Sequence, residues 1–502
     1  MKSISIAGFQ MPVPPSAVPR HLAVAAATTA FADWLFYDHG IGLSLVLFLL
    51  VLTGLALLTN RSWISRREAP IALMILIAGL APIIEAFNVL SVLFGVLAVA
   101  VAVSSLTHPF ITTWRDRFEA VGTLLLAGPF RLVPDIARSR IWSVSPSRLT
   151  VWIVPLFLSV IFLGLFASAN PLIENMLAAF DLHGATSHVS FARLLFWSVT
   201  LSVIWPFIAL RWDRKAAVKA CADVAQPEAA SVPPPDAYSF SRELLGPEAI
   251  LRSLVLFNLL FAVQTTLDLI YLWGGAALPD GMTYATYAHH GAYPLMLTAL
   301  LAGGFVLATI RPGGPVERKP LIRMLVFVWI AQNVMLVVSS ILRLDLYIET
   351  YALSYWRVAA FVWMLLVALG LVLIVARIAL DRSNQWLVLA NLTTLALVLY
   401  ACTFINFPWV IATYNVAHSR EISGKGASVD FPYLVSLGPQ ALPAIDRYLD
   451  QDGHPCCVWK QQRDGLVQRH AAQLDSWRAW GFRDWRLTRY LDRIAQNSTA
   501  MP

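Results

Sequence analysis

A chain of 502 residues that is 58% hydrophobic and only 13% charged, with a mean hydropathy of +0.65, is too apolar for an ordinary soluble fold. Soluble domains carry roughly a quarter charged residues, and their helices keep a polar face that several stretches here lack. The net charge of +7 is dispersed, with no basic helix and no aromatic RNA-binding motif. That excludes nucleic acid as a partner and fits the Lys/Arg excess of cytoplasmic loops.

Residues 1–20 hold Lys2, four prolines and Arg20, with no long apolar run close behind Lys2. They predict a short flexible cytoplasmic tail before an uncleaved first span. A spanning helix needs about twenty mostly apolar residues. Stretches 21–37, 41–59, 70–85, 88–106, 150–169, 192–210, 250–273, 286–310, 321–341, 357–379 and 387–405 qualify, eleven in all. The first and third are short and meet their successors through tight polar turns, Asp38-His39-Gly40 and Glu85 to Asn88. A re-entrant hairpin at either leaves ten or twelve spans as alternatives. The fold class expected is therefore all-α, a polytopic membrane bundle with a small helical tail, its bilayer the first partner.

The long connections subdivide the chain. In the N-terminal membrane region, 21–211, segment 107–149 mixes Phe118, Val121, Leu124 and Leu125 with Trp114, Arg115 and Arg117. It reads as an amphipathic helix in the lipid interface, with a cytosolic partner surface as the rival. Residues 212–249 form a polar Pro/Ala-rich linker, containing Pro227 and Pro233 to Pro235, before the C-terminal membrane region 250–407.

Arginines mark every second connection: Arg61, Arg66 and Arg67; Arg115 to Arg148; Arg211 to Lys219; Arg311 to Lys319; Arg377 with Arg382. The connections between them carry Asp38, Glu85, Glu174 with Asp181, and Asp280. Positive loops stay cytoplasmic, so the N-terminus is expected inside and, after eleven spans, residues 408–502 outside.

That tail holds eleven Lys/Arg and nine Asp/Glu, enough for a water-soluble module. Asp430 is placed to cap a helix opening with Pro432, with Leu434, Leu437 and Leu442 as its apolar positions. A second helix is expected over 458–480 and a third after Gly481, with Trp485, Tyr490, Leu491 and Ile494. So many aromatics on small helices call for a docking surface: the outer face of the same protein, the lipid interface, or a protein partner.

Several separated motifs stand in a recognisable order. Ala32-Asp33-Trp34-Leu35-Phe36-Tyr37 precedes one span, and Tyr287-Ala288-His289-His290-Gly291-Ala292-Tyr293 opens another. Leu342-Arg343-Leu344, Tyr347, Tyr351-Ala352-Leu353 and Arg357 lead into a third, and Asp430, Tyr433-Leu434 and Leu437 mark the tail. Together they resemble the bacterial membrane proteins grouped as domain of unknown function 4173, related to the 4153 group. The likeness implies a multi-pass protein of the bacterial inner membrane. It brings no catalytic residues, and Ala292 stands where an aromatic is expected.

Ionisable groups within spans are the default site candidates. Asn258, Thr265 and Asp268 share one face of the seventh span, and Gln332, Ser339 and Arg343 share a stripe of the ninth. These faces are expected to meet, pairing Asp268 with Arg343, as a site or as interhelical glue. His289 and His290 open the eighth span; adjacent helix positions diverge by about 100°, which disfavours a shared metal. A pH-sensitive lining and a locally bonded interfacial histidine are the other readings. Arg343, Asp345, Glu349 and Arg357 form a balanced cluster between the ninth and tenth spans, read as a site for a small anion or lipid headgroup or as a self-neutralising network. Tyr347, Tyr351, Tyr355 and Trp356 make an interfacial belt beside it, and Asp33 and Glu85 fall at the same expected depth.

The four cysteines give neither zinc spacing nor CxxC pairs, although adjacent Cys456 and Cys457 raise a strained vicinal disulfide. There is no HExxH, GxSxG or GxGxxG, and Gly424-Lys425 lacks the rest of a P-loop. No metal or cofactor is expected. Three functions stay open: a membrane scaffold or signalling partner with an outward-facing polar site, a transporter of a small polar or anionic solute, and, least favoured, an outer-leaflet enzyme on a lipid-linked substrate.

Overall fold

A computed structural model describes residues 18–60, 65–107, 114–138, 191–210, 247–274, 320–450, 457–474 and 476–499. Every described element is helical. Among the described residues five helices are long and apolar enough to cross a membrane, and three shorter ones are also apolar. The architecture is that of an all-α polytopic membrane protein. Of the eleven expected stretches, nine fall on described helices; 150–169 and 286–310 lie outside the described residues, as do His289, His290 and Cys456.

The chain divides into two compact units. The first comprises Met1–Ala229 with Ala472–Thr488, the second Ala230–Ala471 with Arg489–Pro502. In the first, α1 (Val18–Phe36) turns at Asp38, whose φ of 58° is left-handed, into α2 (Leu43–Thr59). Helices α3 (Ala69–Glu85) and α4 (Val89–Thr107) pack as a hairpin. Gly79 sits so close to α4 that a Cβ there would lie 2.1 Å from that of Ala98, the small-residue approach that packs helices where no hydrophobic force separates them from lipid. Thr29, Thr53 and Thr107 return their hydroxyls to carbonyls one turn back, so these polar side chains are satisfied within their own helices.

The segment expected as interfacial is helical where described. Helix α5 (Trp114–Gly122) continues through a π turn (Thr123–Ala127) and a short 3-10 turn to α6 (Leu132–Arg138). It buries Ala120, Val121 and Leu124 while Phe118, Leu126 and Phe130 stay exposed. Helix α7 (Phe191–Ile208) packs on α1 and α2, and its Trp205 indole donates to buried Asp135 at 3.0 Å.

The tail residues within this unit dock on its helix ends. The amide of Leu43 donates to Trp480 O at 2.9 Å, and Ala479 fills the space that Gly40 and Gly42 leave. Arg478 stacks 4.6 Å over Trp34, and Glu85 at the end of α3 takes Arg483 and Arg486. These tail residues thus meet the turns that follow α1 and α3 through Ala479, the Trp480 carbonyl and three arginines, whereas the Trp477, Phe482 and Trp485 side chains are exposed.

In the second unit α8 (Pro247–Asp268) ends in a π turn (Leu269–Trp273) and packs along α9 (Pro320–Tyr351). Helices α10 (Tyr355–Ala379) and α11 (Asn384–Phe404) follow as antiparallel neighbours, and Ile322, Val326, Trp329, Leu371 and Ile378 lie in the shared core. Helix α9 corrects an expectation. Its 32 residues reach about 48 Å at 1.5 Å each, well past a hydrocarbon core of roughly 30 Å. The charged stretch 342–351, expected as a connection, is its last turns, because it holds no Gly or Pro to stop the helix.

Beyond α11 the chain folds as short capped helices: α12 (Phe407–Ala417), α13 (Arg420–Ser423), α14 (Phe431–Ser436) and α15 (Leu442–Leu449). Asn406 and Asp430 each accept the amide three residues on and each is followed by Phe-Pro, so one capping pattern starts two helices. Leu434, Leu437 and Leu442 are buried as expected. Helices α16 (Cys457–Gln473) and α17 (Phe482–Thr499) complete the tail; Cys457 is a free, exposed thiol. Arg463 and the Tyr490 hydroxyl bind the two oxygens of Asp446, at 2.8 and 3.0 Å, and lock α15, α16 and the second half of α17 together.

Candidate functional site

Two polar constellations occupy the second unit. The first is inside the helix pair α8–α9. The Asn258 amide donates to Leu325 O at 3.1 Å, Gln332 donates to Asn258 O at 3.1 Å, and the Trp273 indole donates to Ser339 at 3.3 Å. One turn further, Arg343 pairs with Asp268, whose same oxygen accepts from Gln264 at 3.0 Å. Both charged side chains are at most 3% exposed. The two polar stripes therefore face each other, and the ion pair closes their end, where α8 loosens into a π turn. Such turns recur at functional positions.

The second constellation is a pocket at the end of the α9–α10 hairpin. Ala352 adopts a left-handed φ of 62° and Ser354 an extended one, so the chain reverses in three residues. Arg357 in the first turn of α10 reaches back: its guanidinium donates to the carbonyls of Tyr351 and Ala352 and lies 4.5 Å over the Tyr347 ring. It caps the carbonyl end of α9, where a cation is favourable. Asn415 on α12 then grips the reversal like a piece of β-ladder, accepting from Leu353 N at 2.6 Å and donating to Leu353 O at 2.9 Å. The Tyr433 hydroxyl accepts the Tyr355 amide at 3.3 Å.

The remaining wall is the loop between α13 and α14. Gly424 and Gly426 have φ of 73° and 88°, and a Cβ on Gly426 would lie 2.6 Å from His418 O, so both conformation and space call for glycine there. Glu421 accepts the Val429 amide, and Ala427 O accepts from Arg420 N at 3.0 Å. These walls border an open cleft of about 540 Å³ whose polar lining includes Glu349, Arg357, His418, Lys425, Asp430 and Tyr433. That volume suits a small molecule or a headgroup.

The electrostatics differ from the balanced cluster expected. Among the described residues no ion pair joins Arg343, Asp345, Glu349 and Arg357 to one another. The reason is helical geometry: Arg343 and Asp345 are about 200° apart around α9, so Arg343 turns to the α8 seam while Asp345 is exposed. Glu349 and Lys425 have no ion-pair partner among the described residues. The His418 ring lies on Tyr414, centroids 4.1 Å apart, with Nδ1 3.0 Å from Tyr414 O. Burial, and then the carboxylates of Asp345 and Glu349, push the Tyr414 phenol above its ordinary pKa.

Asp33 and Glu85 belong to the first unit and have their own partners. Asp33 takes both arms of Arg193, with Nε to Oδ1 at 2.9 Å, and the Trp197 indole at 2.9 Å. Glu85 is held by Arg483 and Arg486. Each carboxylate is about nine-tenths buried and engaged by arginine, an arrangement that fastens helices. Among the described residues no group of His, Cys, Asp and Glu is arranged to hold a metal ion. Sequence reasoning missed Asn415, His418 and Lys425 as pocket residues and read Asp430 only as a cap. The one available signal was Asn406-Phe407-Pro408, which repeats the Asp430-Phe431-Pro432 start and announces α12.

The sequence model of a domain of unknown function, number 4153, matches residues 22–448. The chain belongs to this family. It is the group related to the 4173 proteins whose motifs the sequence resembles. The 4153 domain so defined runs from within α1 to within α15, and so takes in both constellations and every wall of the pocket. No curated protein and no solved structure matches the chain.

Proposed function

We propose that this 4153-family protein is a ligand-binding scaffold of the bacterial inner membrane, its pocket facing the extracytoplasmic side. The observation that carries the reading is the pocket itself: a cavity of about 540 Å³ on the end of two bilayer-length helices, with charged groups of both signs and, among the described residues, no ion pair between them. The ligand class is a small anion or a lipid headgroup. Alternating basic and acidic connections along about eleven spans support the placement of the tail outside. So does the tail's grip on the turns after α1 and α3, the acid-bearing connections.

The test is thermal unfolding of the purified full chain against a panel of inorganic phosphate, glycerol 3-phosphate, phosphoethanolamine, succinate and citrate. A ligand that binds only the folded state raises the midpoint with concentration, and Lys425→Glu should abolish the rise. A midpoint unmoved by every compound overturns the reading. Alkaline phosphatase fused after Asp430 should be active, and fused after Arg67 or Lys215 inactive.

A second reading, transport of a polar solute, is favoured by a different observation: the buried Asp268–Arg343 pair beside a π turn in the interior of the bundle. Uptake of a polar solute by sealed vesicles that hold the parent protein, absent from vesicles without it, would support it.

A further inference from the structure

The pocket's charges are not only uncompensated; they are uncompensated in equal and opposite amounts. Of its two cations, Arg357 is committed to the carbonyls of Tyr351 and Ala352 and to the Tyr347 ring, whereas Lys425 has no ion-pair partner among the described residues. Of its two carboxylates, Asp430 caps the Tyr433 amide, whereas Glu349 makes no ion pair with any described residue. One positive and one negative side chain are left for a ligand. The two ends also differ chemically. Beside Lys425, the backbone amides of Gly426, Ala427 and Ser428 have no hydrogen-bond acceptor in the described chain, and successive unbonded amides in a turn can hold an anion. Beside Glu349, the pocket is aromatic: Tyr351, Tyr414 and Tyr433 line it. Carboxylate plus phenol rings is the chemistry that receives an alkylammonium.

Resting on the reading of this cavity as a ligand site, we propose that it takes a zwitterionic phosphate–ammonium group of the phosphoethanolamine type, the phosphate at Lys425 and the 426–428 amides, the ammonium at Glu349. Leu353, Val429 and Leu434 give the same pocket an apolar margin, and Tyr355 and Trp356, 45% and 83% exposed, stand at its helix ends where interfacial aromatics sit. The phosphate–ammonium group can reach the site as a lipid headgroup or as a free solute.

Calorimetric titration of the full chain in dodecyl maltoside separates the possibilities. The probes are dihexanoyl phosphatidylethanolamine, dihexanoyl phosphatidylglycerol, phosphoethanolamine, inorganic phosphate, succinate and citrate. The ethanolamine lipid should bind about tenfold more tightly than the glycerol lipid, the worth of one charge-assisted hydrogen bond. Glu349→Gln should erase that preference while leaving the glycerol lipid unchanged, and Lys425→Ala should weaken both about tenfold. Both side chains are exposed and without structural partners, so both variants keep the fold. Tighter binding of the lipid than of phosphoethanolamine names a membrane source; equal binding names a solute, and both outcomes uphold the ammonium–phosphate assignment. Equal binding of the two lipids, insensitive to Glu349→Gln, overturns the zwitterion and leaves an anion pocket standing. Binding of succinate or citrate with no response to any phosphate also overturns it while sparing the pocket. Silence from every compound removes both.

Discussion

Replacing Asp268 by Asn leaves the Arg343 guanidinium charged inside a helix pair that holds it to 3% exposure. At an effective dielectric of about 20, opposite charges some 4 Å apart attract by about 4 kcal/mol. Breaking one side of a buried pair typically costs about 3–5 kcal/mol. Arg343→Met leaves the converse, a buried carboxylate with Gln264 as a neighbour. The double variant buries neither charge, and neutral replacements of whole buried pairs are often close to harmless. Each single change should therefore destabilise by about 3–4 kcal/mol, and the double variant by no more than one of them, giving a coupling of at least about 3 kcal/mol. The measurement is reversible unfolding of all four proteins in mixed micelles of dodecyl maltoside and sodium dodecyl sulfate. Additivity within about 0.5 kcal/mol would refute the argument that this ion pair holds α8 to α9.

Two further outcomes test the tail. Gly426→Ala should cost about 1–3 kcal/mol and weaken ligand binding, since it forces a left-handed alanine against His418 O. Gly424→Ala, with φ of 73° but nothing within 4 Å, should cost about 1 kcal/mol and spare binding; equal effects in melting and titration contradict the pocket wall as described. Burial, then the Asp446 carboxylate, hold the Tyr490 phenol protonated well above its ordinary range. The unfolded chain then ionises first, so stability is unchanged below pH about 10 and falls above it, by up to about 1.4 kcal/mol per pH unit. Melting curves from pH 8 to 11 should show this alkaline slope in the parent and its loss in Tyr490→Phe; parallel curves refute it.

The parts of this fold that could be read in advance are those decided by local physics. Apolar stretches of bilayer length became helices, and the facing stripes of α8 and α9 were visible because a polar residue in an apolar helix has few places to go. Asp430 could be placed as a cap because its acceptor and its proline act within four residues. The charge cluster after the ninth span was misjudged for the opposite reason. Arg343, Asp345 and Glu349 are neighbours in sequence, but a continuing helix sends them in different directions, and that continuation depends on what lacks a breaker rather than on any positive sign.

The pocket was beyond reach altogether, since its two sides come from residues 348–357 and 414–434, brought together by Asn415 across some 60 residues. Asn415 looks in the sequence like any polar residue near the end of a short helix. Only the reversal at Ala352, which leaves the Leu353 backbone without helical partners, gives it work to do. The same reversal frees Glu349 from Arg357, because the guanidinium is drawn to the exposed carbonyls at the end of α9. A turn of three residues thus determines both where the tail attaches and which charges remain for a ligand. The candidate site is a consequence of ending α9 at Tyr351.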